Sequence, residues 1–249
     1  MIETFAALLF AHSFTDFAFQ SSDMAAKKAG RDWAALATHI AILAGLTLLV
    51  GLQLSWALIG VLVLVLVALS HLVIDIAKSF APKTHPLAAF LGDQATHLAA
   101  TALIAAAFPT FWANSLWANL TWLPGALTLA TGLLITTRAG GFAVGLLMAQ
   151  YENDAPPEGL PQGGRMIGLL ERGLIFLLVL AGQPSGIGFL IAAKSILRFE
   201  AVSKDGANPK SEYVIIGTLA SFGWALAASY ATLALLGQLP PLGILPVPD

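Results

Sequence analysis

The chain has 249 residues, of which 57% are hydrophobic and only 10% charged, with a formal net charge of −2. A soluble domain carries about 25% charged residues, so this composition excludes an ordinary soluble enzyme, and the slight acidity argues against a nucleic-acid partner, which leaves a basic patch. With no cysteine there is no disulfide, thiolate metal site or cysteine nucleophile.

What remains is an all-α protein, a polytopic transmembrane helix bundle forming one integral membrane domain over 1–249. Apolar runs predict about eight spans: 3–20, 34–53, 55–79, 86–108, 124–149, 166–182, 185–200 and 213–237. No Lys or Arg precedes the first run, where Glu3 stands instead, so a cleavable signal peptide is not expected. Residues 1–110 bear the His and Asp residues, and 124–237 bear Arg, Lys and Glu.

In chain order, span one carries His12, Asp16 and Gln20, and the loop after it Lys27, Lys28 and Arg31. His39 lies just inside span two, His71, Asp75 and Lys78 close span three, and Asp93, Gln94 and His97 sit in span four. The next loop holds Trp112, Trp117 and Trp122, which read as an interfacial aromatic belt. In span five, Arg138 precedes Gly140-Gly141, which predicts a kink with Arg138 turned inward. The acid-, Pro- and Gly-rich stretch 151–164 reads as a mobile cytoplasmic connector.

Lys and Arg avoid the second, fourth and sixth loops, so the positive-inside rule makes the odd loops cytoplasmic and places both termini outside. His12, Asp16, His39, His71, Asp75, Asp93 and His97 then share one slab in the cytoplasmic half of the first four spans.

Three of the motifs pair His with Asp four residues apart: His12/Asp16, His71/Asp75 and Asp93/His97. Such a pair shares one helix face, and ionisable groups at mid-bilayer cost roughly 3 kcal/mol or more, so they face an interior or a cavity. Imidazole and carboxylate suit zinc, manganese or iron. The leading reading is a metal site made of all seven residues, with Asp16, Asp75 and Asp93 as the catalytic carboxylates. Two rival readings stay open: a proton or cation relay in a transporter or channel, and a hydrogen-bonded network that locks the packing of a non-catalytic membrane partner subunit.

A second polar set, Arg165, Arg172, Lys194, Arg198 and Tyr213, lies at the cytoplasmic ends of spans six to eight. It suits an anionic lipid or a phosphate-bearing amphiphile; ordinary positive-inside anchoring is the alternative. Walker loops, Gly-Xaa-Ser-Xaa-Gly elbows and HExxH motifs are absent.

Together, His12-Xaa3-Asp16-Xaa3-Gln20, His71-Xaa3-Asp75-Xaa2-Lys78 and Asp93-Gln94-Xaa2-His97, with Gly164-Arg165 to Arg172, Ala193 to Phe199 and Glu212 to Thr218, form a pattern. It resembles the bacterial inner-membrane proteins of the domain of unknown function 3307 family. The resemblance implies a multi-pass protein of the bacterial inner membrane, with both polar sets as functional candidates, and supplies no reaction. Metal-dependent hydrolysis of an amphiphilic, phosphate-bearing substrate is therefore the working expectation, with the lipid bilayer as the surrounding partner.

Overall fold

Among the described residues the regular structure is helical, as the apolar runs predict. The computed structural model describes residues 1–52, 58–81, 84–151, 162–202 and 209–242, with side chains for all but 195–202 and 209–211. Lys83, Lys204 and most of the 151–164 connector lie outside the described residues, as do the side chains of Ser195, Arg198 and Lys210.

The chain divides into two compact units, Met1–Leu134 with Leu235–Leu242, and Ile135–Ala234. The first contains α1 (Ile2–Phe17), α2 (Ser22–Ala29), α3 (Trp33–Val50), α4 (Leu58–Lys78), α5 (Pro86–Ala107) and α6 (Leu123–Leu134). Helix α1 is the centre, packing on α3, α5 and α6, and is buried on nearly every side, from Thr4 to Phe17. Its polar residues therefore interrupt the apolar pattern without reaching solvent.

The outer helices each bury one stripe. On α4 it runs Gly60, Val63, Val67, His71, Asp75; on α3, Leu36, His39, Leu43, Thr47, Val50; on α5, Phe90, Asp93, His97, Thr101, Ile104. Each stripe repeats every three or four residues, as an inward helix face must. One end of the bundle is an apolar core of Leu8, Leu43, Val50, Val63, Ile104, Phe111 and Trp112. The ionisable residues continue the same stripes, which is why they point inward rather than at the surroundings.

Helix α2 forms where a loop is expected. Ser21 caps it by accepting from Met24 N at 3.1 Å, and an Asp23–Lys27 pair at 2.7 Å bridges one turn. It buries no residue, so it leaves no hydrophobic signature. It closes on Arg31, in the left-handed region at φ 61°, with Arg31 N bonded to Lys28 O and Asp32 N to Lys27 O. Asp32 then caps α3 through Ala35 N at 2.9 Å.

Two of the expectations are corrected here. Trp112 is only 5% exposed and Trp117 packs against the core with its indole N–H on Leu49 O, so only Trp122 remains exposed for an aromatic belt. The ring of Phe111, from the same loop, covers Gly51 so closely that a Cβ there would lie 2.0 Å from Phe111 Cζ. Finally, Arg138 is exposed rather than turned inward. The break expected beside Gly140-Gly141 is a π-helical turn, Ile135–Ala139, that rotates Thr136 and Thr137 inward instead.

That turn opens the second unit, followed by α7 (Gly140–Met148), a 3₁₀ turn (Ala149–Tyr151), α8 (Gly163–Leu180), α9 (Ser185–Val202) and α10 (Pro209–Leu236). Its core is Ile175 and Val179 of α8, Ile187 of α9 and Phe222 and Ala225 of α10. Among the described residues, four segments are long and apolar enough to cross a membrane: Trp33–Val50, Leu58–Lys78, Leu123–Tyr151 and Glu212–Leu236. On α4 the outward face is Leu62, Val65, Leu66, Leu69 and Val73, all exposed, as a lipid-facing surface requires.

Candidate metal centre

The seven His and Asp residues singled out in the sequence are all buried, and they meet in the first unit. Helix α1 supplies His12 and Asp16, α3 His39, α4 His71 and Asp75, and α5 Asp93 and His97. The i, i+4 spacing works as expected, because each pair extends one stripe by a single turn.

The tightest group joins three helices. His39 Nε2 lies 3.0 Å from His71 Nε2, and Asp16 Oδ1 lies 3.1 Å from the first and 3.3 Å from the second. Asp75 Oδ2 stands 3.6 Å from both nitrogens. A tetrahedral ion with ligand bonds of about 2.0–2.1 Å needs its ligand atoms roughly 3.3–3.4 Å apart. The five separations lie on either side of that value.

Beside this group, His12, His71 and His97 offer three ring nitrogens within 4.8 Å of one another, and Asp75, Asp93 and His97 do the same with two carboxylates. His71 and His97 stack with ring centroids 4.1 Å apart, and His12 and His97 at 4.8 Å. A cavity of about 10 Å³, large enough for roughly one water, is lined by His12, His71, His97 and Thr101 on the apolar side of the cluster.

A packing network would satisfy its polar atoms. Here His12 Nδ1, Asp16 Oδ1, His39 Nδ1, Asp75 Oδ2, Asp93 Oδ1 and His97 Nε2 are buried with no hydrogen-bond partner. All three of these oxygens do have close neighbours, imidazole for Asp16 and Asp93 and ammonium for Asp75, but out of hydrogen-bond direction. Carboxylate oxygens and ring nitrogens are thus crowded together, an arrangement suited to a cation.

Three further residues complete the site, and their roles escape a reading by hydropathy. Lys28 of α2 reaches Asp75 Oδ2 at 2.7 Å and Gln20 Oε1 at 2.8 Å, and its side chain is only 10% exposed. Lys78 pairs with Asp93 Oδ2 at 2.6 Å. Gln94 Nε2 donates to Asp16 Oδ2 at 3.2 Å and to Asp93 Oδ2 at 3.1 Å, tying α1 to α5. In the sequence Lys28 reads as a loop charge and Lys78 as the close of span three.

The second polar set is arranged differently. Lys194 Nζ meets Glu171 at 2.5 Å. Arg172 is buried, donating from Nε to Thr137 O and from Nη1 to Ser221 Oγ, each at 3.1 Å. Arg165 is exposed, Tyr213 is half-buried, and the Arg198 side chain lies outside the described residues. Among the described contacts, Lys194 and Arg172 share no acceptor.

No curated protein and no solved structure matches the chain. Residues 4–123 match the model of a family described as a protein of unknown function (DUF3307), and the motifs between Gly164 and Thr218 lie beyond that match. Over the stretch that holds all seven His and Asp residues with Lys28, Lys78 and Gln94, the chain therefore resembles the DUF3307 family.

Proposed function

We propose that the first unit binds a divalent transition metal, zinc, manganese or iron, through Asp16, His39 and His71, with Asp75 as fourth ligand. The observation that carries this reading is the set of distances, 3.0 to 3.6 Å, from His39 Nε2 and His71 Nε2 to each other and to the Asp16 and Asp75 oxygens, on three helices. An ion there would supply Lewis acidity and a more acidic bound water. The chain's own contribution is to hold the ligands: Gln94 fixes the second oxygen of Asp16, and the burial of His39 keeps its ring from turning. His12 and His97 line the cavity, and with Asp93 beside His97 they would accept or pass a proton.

This arrangement supports metal-dependent hydrolysis within the membrane, on an amphiphilic substrate, better than a purely structural role. In this reading the protein is a multi-pass protein of the bacterial inner membrane, with eight crossings, both termini outside and the metal centre in the cytoplasmic half. Lys194 and Arg172 have partners within the chain, Glu171 for the first and Thr137 O and Ser221 Oγ for the second, so a phosphate-bearing headgroup would have to share them.

The test is elemental analysis of the detergent-purified protein, with Asp16→Asn and His39→Ala beside the wild type. Near-stoichiometric metal in the wild type, reduced by each substitution, is the expected result. A folded, metal-free wild type whose melting temperature does not respond to zinc, manganese or iron rejects the reading.

A further inference from the structure

The oxygen best placed to be a fourth ligand is also the one that a lysine touches. Lys28 Nζ lies 2.7 Å from Asp75 Oδ2, while that oxygen faces His39 Nε2 and His71 Nε2 at 3.6 Å. An ammonium and a divalent ion at this oxygen compete, both by charge and by volume. Three aspartates meet here with two lysines, Lys28 and Lys78, so some cation is needed beside Asp75 whether or not a metal is bound.

Lys28 also does mechanical work. Helix α2 buries no residue, and its apolar contribution to the bundle is correspondingly small. The Lys28 side chain, at 10% exposure, is its anchor into the bundle interior, with Gln20 Oε1 as a second acceptor. The Schellman turn at Arg31 keeps Lys28 one turn from the start of α3, and Arg31 lies 4.6 Å over the ring of Phe80.

We propose that Lys28 is a built-in cation of this site, which a metal ion displaces from Asp75, and that its displacement releases helix α2 from the bundle. The proposal rests on the metal reading above and adds its regulation. Metal entry becomes an exchange of one cation for another, and α2 reports which of them is in place. A lysine serves this purpose better than an arginine would, since its single ammonium can withdraw along a flexible stem.

The chain has no cysteine, so Ala26→Cys gives a single spin-labelling position on the exposed face of α2. The probe is zinc, with binding measured calorimetrically in detergent and label mobility by electron paramagnetic resonance. The expected result is that zinc binds and mobilises the label in otherwise wild-type protein. Lys28→Gln should mobilise the label without zinc and bind zinc about tenfold more tightly or better. Lys28→Arg, which keeps the charge, should leave the label immobile without zinc, and Asp75→Asn should free it. If zinc binds but the label does not respond, or Lys28→Gln binds no more tightly, the exchange is overturned and the metal site stands. Zinc binding only after Lys28→Gln supports the exchange. If neither protein binds zinc, both readings fall, and a label still freed by Lys28→Gln then shows that the Lys28–Asp75 contact is structural.

Discussion

His39 and His71, from α3 and α4, face each other nitrogen to nitrogen, with their Nε2 atoms 3.0 Å apart. Two imidazoles approach in this way when one donates to the other, or when both lone pairs point at one cation. Asp16 Oδ1 lies within 3.3 Å of both nitrogens, so a carboxylate completes a triangle that either a proton or a metal can hold together. A proton satisfies one edge of that triangle; a metal ion satisfies all three. The difference between those occupants is measurable.

Metal occupancy should fall as the medium is acidified, because protons compete with the ion for the imidazole nitrogens and carboxylates. The sign is fixed: lower pH releases metal, and raising pH restores it. Equilibrium dialysis of the purified protein against zinc over a pH series, followed by elemental analysis, checks this. Occupancy unchanged across the series would place the ion on other groups.

The Lys78–Asp93 pair should matter for stability even without metal. Asp93 has a side chain 2% exposed, and Lys78, at 42%, supplies its ammonium from the rim. Removing one partner strands the other as a buried charge; with Lys78 partly screened, Lys78→Met should cost about 1–2 kcal/mol in thermal unfolding in detergent. Adding Asp93→Asn should recover part of that loss. Two independent, additive losses would mean the pair is not coupled.

Gly51 should tolerate no side chain. An added Cβ meets Phe111 Cζ at 2.0 Å and Cε1 at 2.5 Å, and Phe111 is itself fully buried in the core of the first unit. Gly51→Ala should therefore destabilise by roughly 1–3 kcal/mol, as overpacking does. Phe111→Leu should lower the cost of that substitution, although it is destabilising alone. Thermal unfolding of the two single variants and the double variant measures the coupling.

The sequence made the His/Asp cluster legible for a simple reason. His12/Asp16, His71/Asp75 and Asp93/His97 repeat at four residues, the spacing that keeps a helix stripe facing inward, within segments too apolar to tolerate charge elsewhere. Lys28 was not legible, because its role depends on a short polar helix and a left-handed turn at Arg31 that hydropathy does not register. Trp112 was misread for the opposite reason: its loop folds back on α1, where Thr4 accepts from Trp112 N and donates to Pro109 O. Arg172 required the π-helical turn, since that turn presents Thr137 O to it.

Topology can be settled by reporter fusions. Because Lys and Arg avoid alternate loops, a fusion at Asp249 and one within 151–164 should report opposite sides of the membrane, with the internal fusion cytoplasmic. Both on the cytoplasmic side would remove the eight-span arrangement. The His/Asp cluster itself would be unaffected, since its geometry comes from α1, α3, α4 and α5 alone.

The buried arginine of the second unit allows a sharper test. Arg172 is 4% exposed, and its guanidinium is seated against two glycines: an added Cβ would lie 2.9 Å from Nη1 at Gly168 and 3.1 Å from Nη2 at Gly141. The glycines make room for the planar group, and Thr137 O and Ser221 Oγ fix its orientation. Ser221→Ala should cost about 0.5–1.5 kcal/mol, the range for one hydrogen bond to a neighbour within a membrane protein. Gly168→Ala should cost more in the wild type than in an Arg172→Met background, because methionine fills the stem's volume and leaves the space of Nη1 empty. Melting temperatures of the four proteins in detergent give the cycle directly. Equal losses from Gly168→Ala in both backgrounds would show that this glycine is required by the path of α8 and not by the arginine.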